Sequence, residues 1–178
     1  SALRHVLGIS VNSTAHILLL KLLPMVFDLL LASLIYGFAR KRAGERVALL
    51  LGLICALNPA AIVDSAAWGQ IDSVFTFFTL LGAVLLADYN YALALPMIAL
   101  AMLIKPQALL FAPLGLFALA VELVRRHTAK DLRRVAIGLA ASLGLLLLFA
   151  QVFHQKDVSP VSWLVNLYGG TMSGYPRI

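Results

Sequence analysis

Charge is what this sequence has least of. Of its 178 residues, 12% are Asp, Glu, Lys or Arg, only eight of them acidic, while 62% are apolar. Soluble domains carry about 25% charged residues. The apolar residues come in long blocks rather than amphipathic stripes, so most helices are apolar all round. Such helices belong in a bilayer or a very large core, and a chain of this length cannot build the latter. Cysteine is nearly absent too. Cys55 stands alone inside an apolar run, so there is no disulfide framework, and the thiol reads as a small packing residue. The four histidines, His5, His16, His127 and His154, are scattered, and no Cys/His/Asp spacing forms a ligand set, which argues against a metal site. The sequence lacks GxSxG, HExxH, phosphate-loop and dinucleotide motifs, as well as a signal-peptide layout.

What charge there is has a pattern. Nine of the 14 Lys and Arg residues fall in two clusters, Arg40-Lys41-Arg42 with Arg46, and Arg125-Arg126 with Lys130, Arg133 and Arg134. Both flank apolar blocks, as cytoplasmic loops do under the positive-inside rule. The net charge of +6 therefore points to a lipid bilayer as partner rather than a nucleic acid. The expected fold class is all-α: a polytopic transmembrane helix bundle with short, broken helices, forming one domain over 1–178. Spans are expected near 16–38, 47–57, 71–87, 91–104, 108–124 and 135–153.

Two of these spans are unusual. Val47–Leu57 covers only ~17 Å at helical rise before Asn58-Pro59 and is too short to cross, so a break is expected there within the membrane's depth. Tyr91–Glu122 would be ~48 Å long as one helix, against a ~30 Å hydrocarbon core, and the natural interruption is Ile104-Lys105-Pro106-Gln107. Irregular backbone at such depth is tolerated where it is buried in protein or lines a wet cavity. With both basic clusters inside, parity places 1–14, 58–72, the Lys105 break and 154–178 together on the outer side.

The polar chemistry concentrates at these breaks. Asn58–Asp72 holds Asp64, Ser65, Trp68, Gly69, Gln70 and Asp72 within fifteen residues. A loop with an interfacial Trp and a helix cap accounts for Trp68 and Asp72 but leaves Asp64, Ser65 and Gln70 unexplained. Gln70 and Asp72 suit hydroxyl recognition, and the following helix N-terminus offers free N–H groups to an anion. Lys105, in mid-block before a proline, suits a phosphate, with Gln107 at the same opening. Lys21 and Asp28 share a helix face but lie ~10 Å apart along the axis, too far for a direct ion pair. For both Lys21 and Asp28, structural pairing with a neighbouring helix and catalytic work remain open.

Asn58-Pro59, Ser65, Trp68-Gly69-Gln70 and Asp72, followed by Lys105-Pro106-Gln107 and Pro113, resemble the GT-C class of membrane glycosyltransferases. The likeness is strongest to prokaryotic proteins related to the GPI mannosyltransferases. Lys21-Leu22-Leu23-Pro24, Asp28-Leu29-Leu30 and the closing Tyr175-Pro176-Arg177 look like that family as well. The resemblance covers most of the chain. It implies an integral protein of the prokaryotic inner membrane that moves a sugar, with inversion, from a polyprenyl-phosphate carrier to a glycan, lipid or protein acceptor at the extracytoplasmic face. No cofactor is implied. Lys105 would hold the carrier phosphate, while Trp68, Gln70, Asp72, Gln107 and Arg177 would bind substrate. The family's catalytic base is an acidic residue in the first outer loop. Nothing here matches that loop, so the catalytic residue is unassigned, Asp64 and Asp28 are reserves, and the sequence reads as an internal stretch of a longer enzyme. Two other classes share these features: a transporter or lipid-linked-sugar flippase, which also uses broken helices and intramembrane charges, and a non-catalytic membrane scaffold.

Overall fold

The computed structural model describes residues 14–126, 128–153 and 159–173. All regular structure among them is helical. The chain divides into two compact units, Ser1–Phe77 and Phe78–Ile178, with the division falling inside one helix, Asp72–Ala87.

In the first unit, helix α1 (Thr14–Ala43) and helix α2 (Glu45–Ala56) form a hairpin joined by the single residue Gly44. Gly44 has φ 84°, a left-handed conformation that glycine adopts without steric penalty. Small residues let the two backbones approach: Ala32, Ala39 and Ala48 are buried along the seam. At the Gly44 end, the Tyr36 hydroxyl donates to Glu45 Oε1 at 2.8 Å, and Arg40 Nη2 pairs with Glu45 Oε2 at 3.1 Å. The Arg42 guanidinium lies 3.9 Å from the centre of the Phe38 ring. The first basic cluster thus marks the closed end of the hairpin.

Beyond α2 the helical path is interrupted less than its Asn-Pro pair leads one to expect. Asn58 is extended, and its side chain accepts the Ala60 N–H at 3.0 Å, while Pro59 occupies the first position of a short helix α3 (Pro59–Ile62). Proline disrupts a helix interior but suits a helix start, where its missing N–H would be unpaired anyway. Helix therefore resumes at once and runs into a π-helical turn, Val63–Trp68, closed by Gly69 at φ 70°. Helix α2 ends at Ala56, near the expected bound of the 47–57 span, but with the resumed helix Glu45–Trp68 is long and apolar enough to cross a membrane. The irregular backbone shrinks from 58–72 to the Asn58 kink and Gly69–Ile71.

The second unit contains the end of helix α4 (Asp72–Ala87), then helix α5 (Tyr91–Ile104), a 3₁₀ turn (Pro106–Phe111), and helices α6 (Ala112–Arg126), α7 (Ala129–Phe153) and α8 (Pro160–Ser173). Helix α7 starts from Thr128, whose hydroxyl accepts the Asp131 N–H at 3.2 Å and bonds the Asp131 carboxylate in return. Helices α5 and α7 pack against each other, and Tyr91, Leu119 and Val135 form a small buried cluster with Leu86, Tyr89 and Leu95 at its edge. The crossing is closest at Gly138, where a Cβ would come within 2.5 Å of the Tyr91 carbonyl oxygen.

Among the described residues three stretches, Ile17–Ala43, Glu45–Trp68 and Ala129–Phe153, are long and apolar enough to span a membrane, and Asp72–Ala87, Tyr91–Ile104 and Pro106–Val121 are shorter apolar helices. Their apolar side chains stay largely uncovered. Leu18, Leu22, Leu29, Leu50, Ile54, Leu143 and Leu148 are all exposed. Exposed apolar surface on this scale is what lipid would cover. Substituting Gly138 by Leu is expected to cost about 1–3 kcal/mol through overpacking against α5. The same change at Gly144, which has no neighbouring atom within 4 Å, is expected to cost far less. Paired thermal melts of the two variants in detergent micelles check this.

Candidate functional site

The first unit holds an open cavity of about 760 Å³. Three elements build it. Helix α1 contributes Asp28 and Leu31; the Pro59–Trp68 segment contributes Asp64 and Trp68 among others; and the start of α4 contributes Asp72, Ser73 and Thr76. Asp28, remote in sequence, therefore lines one space with Asp64, Asp72 and an indole ring. Trp68 is 71% exposed, so its aromatic face is open to a ligand rather than packed into protein.

Local chemistry explains the placement. An α-helical turn would leave Val63–Trp68 one residue short; the π turn absorbs that residue, and π turns recur at functional sites. Both Gly69 and Gln70 donate their N–H groups to the Asp64 carbonyl, the latter at 3.1 Å, which folds the chain back under Asp64 and leaves Trp68 at the rim. Ser65, buried on the opposite side of this turn from solvent, donates to the Ala61 carbonyl at 2.9 Å. Asp72 opens α4, where its charge favours the helix N-terminus.

Helix α1 fixes both ends of the segment. Lys21 Nζ donates to the Ala67 carbonyl at 2.8 Å, and Ser73 Oγ donates to the Pro24 carbonyl at 2.9 Å in a buried contact. Phe27 and Phe77 meet edge to face with ring centroids 5.4 Å apart. Lys21, Pro24 and Asp28 follow one another on one face of α1. Lys21 therefore belongs with Ala67 rather than with Asp28, and Asp28 belongs to the cavity.

Gln70 is exposed and does not line the cavity. Lys105 and Gln107 lie in the second unit. Helix α5 ends at Ile104, and Lys105 is extended at φ −144°, ψ 116°, so the Lys105-Pro106 step does interrupt the helix. Lys105 is half-buried and Gln107 exposed. Arg177 lies outside the described residues. Among the described residues no three His, Cys, Asp or Glu side chains are grouped closely enough to hold a metal ion. Sequence reasoning did not single out Ser73 and Thr76, and it left Lys21 open between structural pairing and catalytic work. The one available signal was the shared face of Lys21, Pro24 and Asp28.

Such an arrangement can do one thing well. An open aromatic face beside carboxylates and hydroxyls offers stacking to an apolar ring face and acceptors to ring hydroxyls, and its volume lies within the usual 300–1,000 Å³ of small-molecule sites. Comparison of the chain with protein families, with characterised proteins and with solved structures finds no match. Replacing Ser73 by Ala removes the buried bond to Pro24 and is expected to destabilise the first unit by about 1 kcal/mol. Reversible unfolding in mixed micelles measures this.

Proposed function

We propose that this chain serves as a GT-C-like membrane glycosyltransferase. It moves a sugar, mannose-like in its hydroxyl pattern, from a polyprenyl-phosphate carrier to an acceptor at the extracytoplasmic face. The observation that carries the proposal is the cavity of the first unit, in which the exposed Trp68 ring stands with Asp28, Asp64 and Asp72. These are the groups that bind a sugar: a flat π-face for the ring's C–H side and carboxylates for hydroxyl donors. The three membrane-length apolar helices support a bilayer setting in which a lipid-linked donor is at hand.

In this reading Trp68 and Asp72 hold the sugar, and Asp64 and Asp28 supply polar support or acid/base work from the cavity wall. Inverting transfer needs a base to take the acceptor hydroxyl's proton as the oxygen attacks the anomeric carbon and the carrier phosphate leaves. The departing phosphate carries negative charge, which a cation stabilises. Lys105 takes that role, at a break where an extended residue replaces a helical one. Gln107 assists it.

Replacing Lys105 by Ala in the full-length protein tests this most simply. Loss of a charge-assisted contact to phosphate is expected to raise the donor KM about tenfold or more. Transfer from a polyprenyl-phosphate sugar is the assay. Unchanged turnover and carrier affinity would remove Lys105 from the site.

A further inference from the structure

We propose that Lys21 is the positioning residue of the cavity: without touching the ligand, it holds the Trp68 turn in the conformation that presents the indole. The proposal rests on the sugar-site reading for what Trp68 does, but its geometry is independent of that reading.

The Ala67 carbonyl is an orphan of the turn's end. The Gln70 N–H, three residues on and within the reach of a helical turn, returns to the Asp64 carbonyl instead. A carbonyl at a helix C-terminus has no helical donor of its own, and a cation meets it doubly, by hydrogen bond and by charge. Lys21 Nζ does so at 2.8 Å. Its stem then runs along Gly69: a Cβ there would lie 3.1 Å from Lys21 Cγ and 3.7 Å from Cε. Glycine is thus needed at 69 twice over, for φ 70° and for the passage of this side chain.

Trp68 sits between these two gripped residues. The Lys21 ammonium holds the carbonyl before it, and the Lys21 methylenes pack against the glycine after it. Lys21 does not line the cavity, so it acts through Ala67 and Gly69. The hairpin supplies the reach. Lys21 and Ala67 are 46 residues apart with Gly44 at their midpoint, so antiparallel helices of equal rise bring them level.

The test uses the full chain in lipid nanodiscs, carrying Trp163→Phe so that Trp68 is the sole reporter of the two tryptophans. Lys21→Met keeps an apolar stem and removes the ammonium; Lys21→Arg keeps a cationic donor. In Lys21→Met, amide exchange at Gly69 and Gln70 is expected to accelerate about tenfold, the equivalent of ~1.4 kcal/mol. Trp68 fluorescence anisotropy is expected to fall with it. Lys21→Arg is expected to restore both. Unchanged exchange and anisotropy in Lys21→Met would overturn the proposal, and so would an acceleration spread evenly over α4 and α5, which would mark a general stabilising role. Should Lys21→Met not fold, Gly69→Ala presses on the same contact from the other side and is expected to produce the same local acceleration; its absence would equally overturn the proposal. No sugar enters these measurements, so their failure is distinct from a failure of the transferase reading, which shows in the Lys105→Ala transfer assay.

Discussion

A backbone group that loses its helical partner takes another, and the site of this protein is built around that constraint. At Ala67 the partner is Lys21, 2.8 Å away on the neighbouring helix. At Pro24 the carbonyl takes an additional buried donor, Ser73. At Asn58 the side chain itself supplies the cap. Each of these contacts satisfies backbone or binds it across the hairpin, and together they decide where Trp68, Asp64 and Asp72 stand. Without Lys21, the π turn has an open end and Trp68 a loose one.

This explains why polar residues sit in a chain so poor in them. Each performs backbone or cavity work that an apolar side chain cannot. Lys21 and Asp28, on the same face of α1, divide that work: the cation holds the scaffold of the turn, and the carboxylate faces the cavity. The two turns of helix between them already keep the two charges from pairing. A carboxylate beside an open indole suits hydroxyl recognition, which is where the glycosyltransferase reading draws its support.

How much of this was legible in the sequence varies with the range of the interaction. The Lys105-Pro106 break was legible because proline acts on its immediate neighbour, and helix α5 does end at Ile104. The basic cluster at 40–46 was legible as a hairpin end because charge patterning is local. At Asn58-Pro59 the same proline logic gave the end of helix α2 at Ala56 but not the restart that follows. A proline reads as a stop until one sees that Asn58 caps a restart, with the ring in the first helical position. The π turn was not legible at all. Its extra residue has no signature in Val63–Trp68, and its end is held by Lys21, which lies 46 residues upstream. The grouping of Asp28 with Asp64 and Asp72 escaped for the same reason, since it follows from the hairpin and not from any spacing.

The central claim is that the Trp68 cavity binds the sugar of a lipid-linked donor. The most direct measurement follows Trp68 emission in the Trp163→Phe protein during titration with a polyprenyl-phosphate hexose, alongside the same carrier lacking its sugar. A saturable change with the glycosylated carrier and little with the bare one is the expected result. No change with either, or the same change with both, would contradict it.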